Sequence, residues 1–179
     1  KLITKIIIIF LVSINLSARE KGETKITTED GIEVFQNEKF YLLKQNVNIV
    51  SDNFTLSADE VKINFDKSLY DITELEADGN VNFNSEEFEL KGNGNFLNFK
   101  VKTEKIKIEG MGSQLTTSDV KMFSDGFIEV SNISGDFLLK GMNSKLVNEN
   151  IIIKAENING IFSNNSDKKE ITFLEVNDK

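Results

Sequence analysis

Residues 46–60 read NVNIVSDNFTLSADE, and residues 80–94 read NVNFNSEEFELKGNG. The second phrase starts 34 positions after the first and aligns with it almost residue for residue. Asn46, Val47 and Asn48 fall on Asn80, Val81 and Asn82, Ile49 on Phe83, Phe54 on Phe88 and Leu56 on Leu90. Within each phrase apolar and polar residues alternate, the period of a strand with one buried face. A third copy follows: Phe137, Leu139, Lys140 and Gly141 match Phe88, Leu90, Lys91 and Gly92, and Asp125-Gly126 matches Asp78-Gly79. A lone hairpin cannot bury its apolar face. Repeated hairpins can, by stacking around one continuous interior.

The alternation extends from Ile26 to Phe173. It runs through Val61, Ile63 and Phe65, then Leu97, Phe99 and Val101, Ile106 and Ile108, Ile128 and Val130, and Ile151 and Ile153. After residue 18 no stretch holds a helical apolar face over three turns, so almost no helix is expected. Joints rich in Gly, Asn, Asp and Ser are expected at 51–53, 65–68, 77–80, 84–87, 91–95, 109–113, 124–126, 134–136, 147–150 and 163–169. Joints spaced by about 8–12 residues indicate an antiparallel sandwich or barrel.

The chain has 179 residues, a formal net charge of −8, and no His, Cys, Trp or Pro. Without Cys and His there is no thiolate or imidazole zinc site, no disulfide, and no Ser-His-Asp or Cys-His nucleophile. The acidic balance argues against nucleic acid, whose phosphates need clustered Lys and Arg. The first twenty residues, KLITKIIIIFLVSINLSARE, differ from the rest. Lys1 and Lys5 precede an apolar run from Ile6 to Leu16, then small Ser17 and Ala18. That layout fits a signal peptide over 1–18, cleaved after Ala18, with a retained anchor as the other reading. The run is short for a membrane span, which needs about 20 residues. Either way residues 19–179 form a single exported domain.

Chemistry is thinly represented. The acidic neighbours Asp59-Glu60, Glu86-Glu87 and Glu29-Asp30 would point to opposite faces of a strand and cannot converge on one atom. Gly92-Asn93-Gly94-Asn95 lacks the following helix and the Lys-Ser/Thr of a phosphate loop. The spacing of a calcium loop is absent. No catalytic residue, metal ligand or cofactor is expected, and the protein reads as a non-enzyme. What remains is the apolar face, with 14 Phe against 2 Tyr. Phe adds bulk with no polar group to satisfy. Either the faces close into an ordinary core, or they leave a groove that takes hydrocarbon at roughly 0.8 kcal/mol per buried methylene. Composition does not separate the two.

The phrase NVNIVSDNFTLSADEVKINFD followed by ITELEADGNVNF resembles the OstA-like domain of the LptA/OstA family of periplasmic lipopolysaccharide-transport proteins. The resemblance rests on Asn46-Val47-Asn48-Ile49, Ala58-Asp59-Glu60-Val61 and Ala77-Asp78-Gly79-Asn80-Val81, within about residues 26–162. Gln45 stands where the family usually has Gly. The resemblance implies an all-β fold: an elongated, slightly twisted antiparallel β-jellyroll with two facing sheets open like a V, after an N-terminal signal helix. It implies a periplasmic protein that bridges inner and outer membranes and carries lipopolysaccharide acyl chains in a groove. Partners would be lipid A acyl chains, jellyroll proteins at both membranes, and copies of itself stacked end to end through edge strands near 32–35 and 171–176. The groove positions expected are Ile49, Phe54, Leu56, Val61, Ile63, Phe65, Val81, Phe83, Phe88, Leu90, Phe99, Phe137 and Leu139. Two rivals stand beside this reading: the membrane-anchored LptC-like component of the same system, and a structural β-solenoid without lipid.

Overall fold

Alternating sequence becomes strand throughout. The computed structural model describes residues 23–149, 151–163 and 170–178, so the segment read as a signal lies outside the described residues. Thirteen strands follow in order: β1 (Lys25–Thr27), β2 (Ile32–Phe35), β3 (Phe40–Val50), β4 (Phe54–Phe65), β5 (Ile72–Ser85), β6 (Leu90–Lys100), β7 (Lys105–Glu109), β8 (Ser113–Thr116), β9 (Val120–Ser124), β10 (Phe127–Ser131), β11 (Asp136–Asn148), β12 (Ile151–Phe162) and β13 (Ile171–Asn177). Their pairings are all antiparallel. The one helical element among the described residues is a single 3-10 turn, Val101–Thr103.

The long strands bend in their middles. Register breaks between Lys44 and Val47 in β3, between Ser57 and Glu60 in β4, and between Asp78 and Val81 in β5. A further break falls between Lys140 and Ser144 in β11. Each break splits a strand between two sheets. Sheet I holds, in order, β2, the first part of β3, the last part of β4, the first part of β5, the last part of β6, then β7, β10, the first part of β11, the last part of β12, and β13. Sheet II holds β1, the other parts of β3 to β6, then β8, β9 and the other parts of β11 and β12. The inner surfaces face each other: a Cβ built on Gly92 of sheet II would stand 2.6 Å from the Ile108 side chain of sheet I.

The bends explain the repeated phrase. Gln45-Asn46 and Gly79-Asn80 are the bulge residues, with φ of +60° and +49°, and of +74° and +49°. Asn tolerates this left-handed region and Gly adopts it freely. The 34-residue repeat is one pair of bent strands carrying one such corner.

Two expected joints are therefore corrected. Residues 77–80 and 91–95 lie inside β5 and β6. At 77–80 the turn-forming residues make a bulge, and the ladder resumes beyond it. In 91–95, Gly92 and Gly94 occupy inward positions filled by the Phe83 ring and the Ile108 side chain, so the glycines serve packing. Further along, 109–113 and 124–126 are corners where the bent strand breaks in two. Backbone groups that leave the ladder there need partners. Buried serines supply them: Ser113 Oγ donates to Gly110 O at 2.7 Å, Ser124 Oγ to Lys140 O at 2.8 Å and Ser144 Oγ to Gly141 O at 2.9 Å. Among the described residues no buried side-chain polar atom lacks a partner.

The core is one layer of side chains between the sheets. Sheet I contributes Leu43, Val61, Ala77, Leu97, Ile108, Ile128, Leu139 and Ile158, successive cross-strand neighbours, all nearly solvent-free. Sheet II contributes Ile49, Leu56, Phe83, Leu115, Met122 and Leu146, a row in which Gly92 stands between Phe83 and Leu115.

Candidate functional site

Corners close one side of the sandwich. The opposite side is bordered by two lips of turns, and there the sheets part. Over the first six strands this leaves an open apolar cleft of about 900 Å³, near the upper end of the usual range for ligand sites, roughly 300–1,000 Å³. Its sheet I wall is Val34, Tyr41, Ile63, Leu75 and Phe99, one cross-strand row, with Ile32, Ile72 and Val101 beside it. Its sheet II wall is Ile26, Ile49 and Phe54, continued by Phe88 from the turn after β5. The Phe88 and Phe99 rings meet across the cleft with centroids 5.9 Å apart. Such pairs add about 0.5–1.5 kcal/mol beyond area burial.

Over the later strands the interior is filled. Val120, Met122, Ile128 and Leu139 are fully enclosed, and Phe137 packs tilted against Phe162 with centroids 4.5 Å apart. The molecule is therefore a trough at its β1–β2 end and a sealed sandwich toward β13.

The two lips differ in chemistry. The sheet II lip, turns 51–53, 86–89 and 117–119, carries Asp52, Glu86, Glu87, Glu89 and Asp119 and no Lys or Arg. The sheet I lip carries apolar tips: Leu69, Tyr70 at 93% exposure, Val101 and Ile133. The charged residues lining the cleft are Asp71, Glu87 and Glu104. No Lys or Arg lines it, so nothing in the cleft is built to hold a phosphate. Tyr41 turns its phenol toward this half-dry space, and burial pushes its pKa above the usual tyrosine value of 10.0.

Of the thirteen positions expected to form a groove, five border the cleft: Ile49, Phe54, Ile63, Phe88 and Phe99. The other eight also face inward but are sealed: Leu56, Val61, Phe65, Val81, Phe83, Leu90, Phe137 and Leu139, each at most 9% exposed. The cleft also uses Ile26, Ile32, Val34, Tyr41, Ile72, Leu75 and Val101, which the repeat did not mark. Ile32, Ile72 and Val101 are over a third exposed, large apolar side chains left in solvent on one rim, a property that appears only in the fold. The acidic pairs are solvated: Asp59 accepts a hydrogen bond from Asn80 Nδ2 at 2.9 Å beside the β5 corner, and Glu86-Glu87 lie in a turn. Among the described residues no cluster of carboxylates could hold a metal, and no helix is long and apolar enough to cross a membrane.

The fold is that of a known transport component. LptH, the LptA homologous periplasmic component of the lipopolysaccharide transport device of Pseudomonas aeruginosa, superposes with a TM-score of 0.53. The match covers 87% of this chain and 96% of LptH at 9% identity, a likeness of fold. No curated protein matches the sequence. Residues 25–125, which contain the cleft lining except Thr24 and four of the bent strands, match the profile described as "LptA/(LptD N-terminal domain) LPS transport protein". With more than half its length so matched, the chain belongs to the LptA/LptD N-terminal domain family of lipopolysaccharide-transport proteins.

Proposed function

We propose that the protein works in the periplasm as a link in lipopolysaccharide transport, holding acyl chains in the cleft between the sheets while the saccharide stays in solvent. The observation that carries this reading is the open, hydrocarbon-lined trough with no basic residue on its walls. Affinity then comes from burying methylenes, roughly 0.8 kcal/mol each. The carboxylates Asp71, Glu87 and Glu104 and the acidic lip weaken any hold on a phosphorylated head group, which suits a protein that passes its cargo on. A purely structural β-solenoid has no use for an interior open over six strands.

Delivery across a gap requires neighbours. Among the described residues the sheets end in strands paired on one side: β1 and β2 at the cleft end, β13 and the first part of β12 at the other. Unpaired edges template further strands. On this reading end-to-end pairing, with copies of itself or with jellyroll partners at the two membranes, joins successive troughs. Residues 1–18 serve as the export signal.

The test is photo-crosslinking in cells from benzoylphenylalanine placed at Phe54 or Phe88, with the attached molecule identified by mass. An acylated glycolipid adduct from these sites, and none from position 139, is expected. Adducts with protein alone, or equal lipid adducts from position 139, contradict the assignment.

A further inference from the structure

The outer surface of sheet II differs from the rest of this acidic protein. Its side chains line up in two cross-strand rows. In one row Asn48 faces Ser57, Ser57 faces Asn82, Asn82 faces Asn93, and Asn93 faces Gln114. The same row continues through Phe123 and Lys145 to Lys154. In the second row Thr55, Asn84, Lys91, Thr116 and Lys121 are successive neighbours, flanked by apolar Val50 at one end and by Val147 and Ile152 at the other. Neither row contains a carboxylate, although the chain has 29 Asp and Glu. Sheet I is the opposite case. Its outer row alternates in sign and pairs internally, as in Lys62–Glu76 at 3.7 Å, Lys105–Glu129 at 2.9 Å and Lys44–Glu33 at 3.2 Å.

The lysines of sheet II have no such partners. Lys91, Lys121, Lys145 and Lys154 form no ion pair with a described carboxylate, and Lys145 lies directly across from Lys154. Like charges placed opposite each other on a sheet are destabilising. Lys145 Nζ rests on the Phe123 ring at 4.4 Å. Asp178 borders the hollow that Lys145 and Lys154 line, where it accepts from the Glu156 N–H. Beside the lysines the amides and hydroxyls form a shallow depression of about 350 Å³.

We propose that this face binds a linear, hydroxyl-rich polyanion, an acidic polysaccharide, along the rows. Amide and hydroxyl side chains offer donors and acceptors in the mixed pattern that sugar hydroxyls require. The lysines attract the acidic groups, and the eight strands give a track roughly 34 Å long at the usual interstrand spacing. Single-stranded nucleic acid fits less well, because it needs successive aromatic platforms and this face has Phe123 alone. The ligand is a separate polymer and not the saccharide of cargo held in the cleft, because the acidic lip with Asp52, Glu86, Glu87 and Glu89 lies between cleft and face. The surface would tether the protein to a charged glycan matrix while the cleft stays free.

The experiment is affinity electrophoresis and calorimetry of the full exported chain with polygalacturonate as probe, beside uncharged dextran, polyphosphate and oligothymidylate. Polygalacturonate is expected to bind, with affinity falling as salt is added, and to bind more tightly than the other three. Joint replacement Lys121→Gln, Lys145→Gln and Lys154→Gln should weaken it by at least about tenfold, the sum of three modest exposed charge contacts. Asn93→Ala with Gln114→Ala should weaken polygalacturonate several-fold and leave polyphosphate unchanged. Phe99→Glu in the cleft should have no effect on the glycan. No binding of polygalacturonate at low salt, unchanged binding by the folded lysine variant, or equal affinity for polyphosphate or oligothymidylate would overturn the proposal.

Discussion

Phe99 and Leu139 sit in the same kind of sequence pattern and both point into the sandwich, yet they do different work. Leu139 is completely enclosed, whereas Phe99 forms part of the cleft wall. Leu139→Ala should cost about 2–5 kcal/mol, the transfer loss plus a cavity, and leave the folded fraction able to take up a fluorescent fatty acid. Phe99→Glu places a carboxylate among hydrocarbon and should abolish uptake while the protein stays folded. Urea unfolding and dye displacement on the same samples check both. A Phe99→Glu protein that still binds the dye at full affinity would remove the cleft from the account. This distinction was not legible in the sequence. Period-2 alternation reports which face of a strand is inward, and all thirteen marked positions are inward. Whether an inward residue meets a partner or an open space depends on the separation of two sheets far apart along the chain.

At the scale of the element the decisive feature is the corner. Val61 follows Ala58 by an odd number of residues, so the inward phase of β4 flips across Asp59-Glu60. Gly79-Asn80 was visible as composition and was read as a joint, whereas Gln45-Asn46 and the flip at 59–60 lay inside stretches read as strand. A bulge and a turn use the same residues, because both need φ > 0. What separates them is whether the ladder resumes with the same neighbour, a long-range fact. Gln45 holds φ of +60° with no side-chain advantage there. Gln45→Gly removes that local strain but loosens the unfolded chain, so stability should stay within about 0.5 kcal/mol of the parent. Val at 45 or at 80 should lower it by about 1–2 kcal/mol, because a β-branched residue is strained at positive φ. Urea midpoints at unchanged slope measure this. A Val at either site with no penalty would mean that the corner is not held in that conformation. The strands themselves, including those at 32–35 and 171–176, and the near absence of helix among the described residues were readable from alternation, since each depends on local periodicity; that 32–35 and 171–176 lie at edges came only from the family resemblance.

The molecule as a whole is a sandwich sealed at one end and open at the other, with three surfaces of different chemistry: a hydrocarbon trough, an ion-paired outer sheet, and an amide and lysine outer sheet. The family's transport role was legible because the motifs around 46–61 and 77–81 are the corners that make the trough. The asymmetry between ends was not, because Phe137 and Phe88 match in the sequence repeat while the fold puts Phe88 in a turn at the cleft and Phe137 in a sheet I strand with Phe162 packed over it. The central claim is that acyl chains enter the trough and stop short of the sealed half. Isoleucine methyl NMR with an acylated glycolipid carrying a nitroxide on its chain tests this directly. The account predicts that Ile26, Ile49, Ile63 and Ile72 broaden at stoichiometric ligand while Ile128 and Ile158 stay sharp. Uniform broadening of all six, or none at saturating ligand, would contradict it.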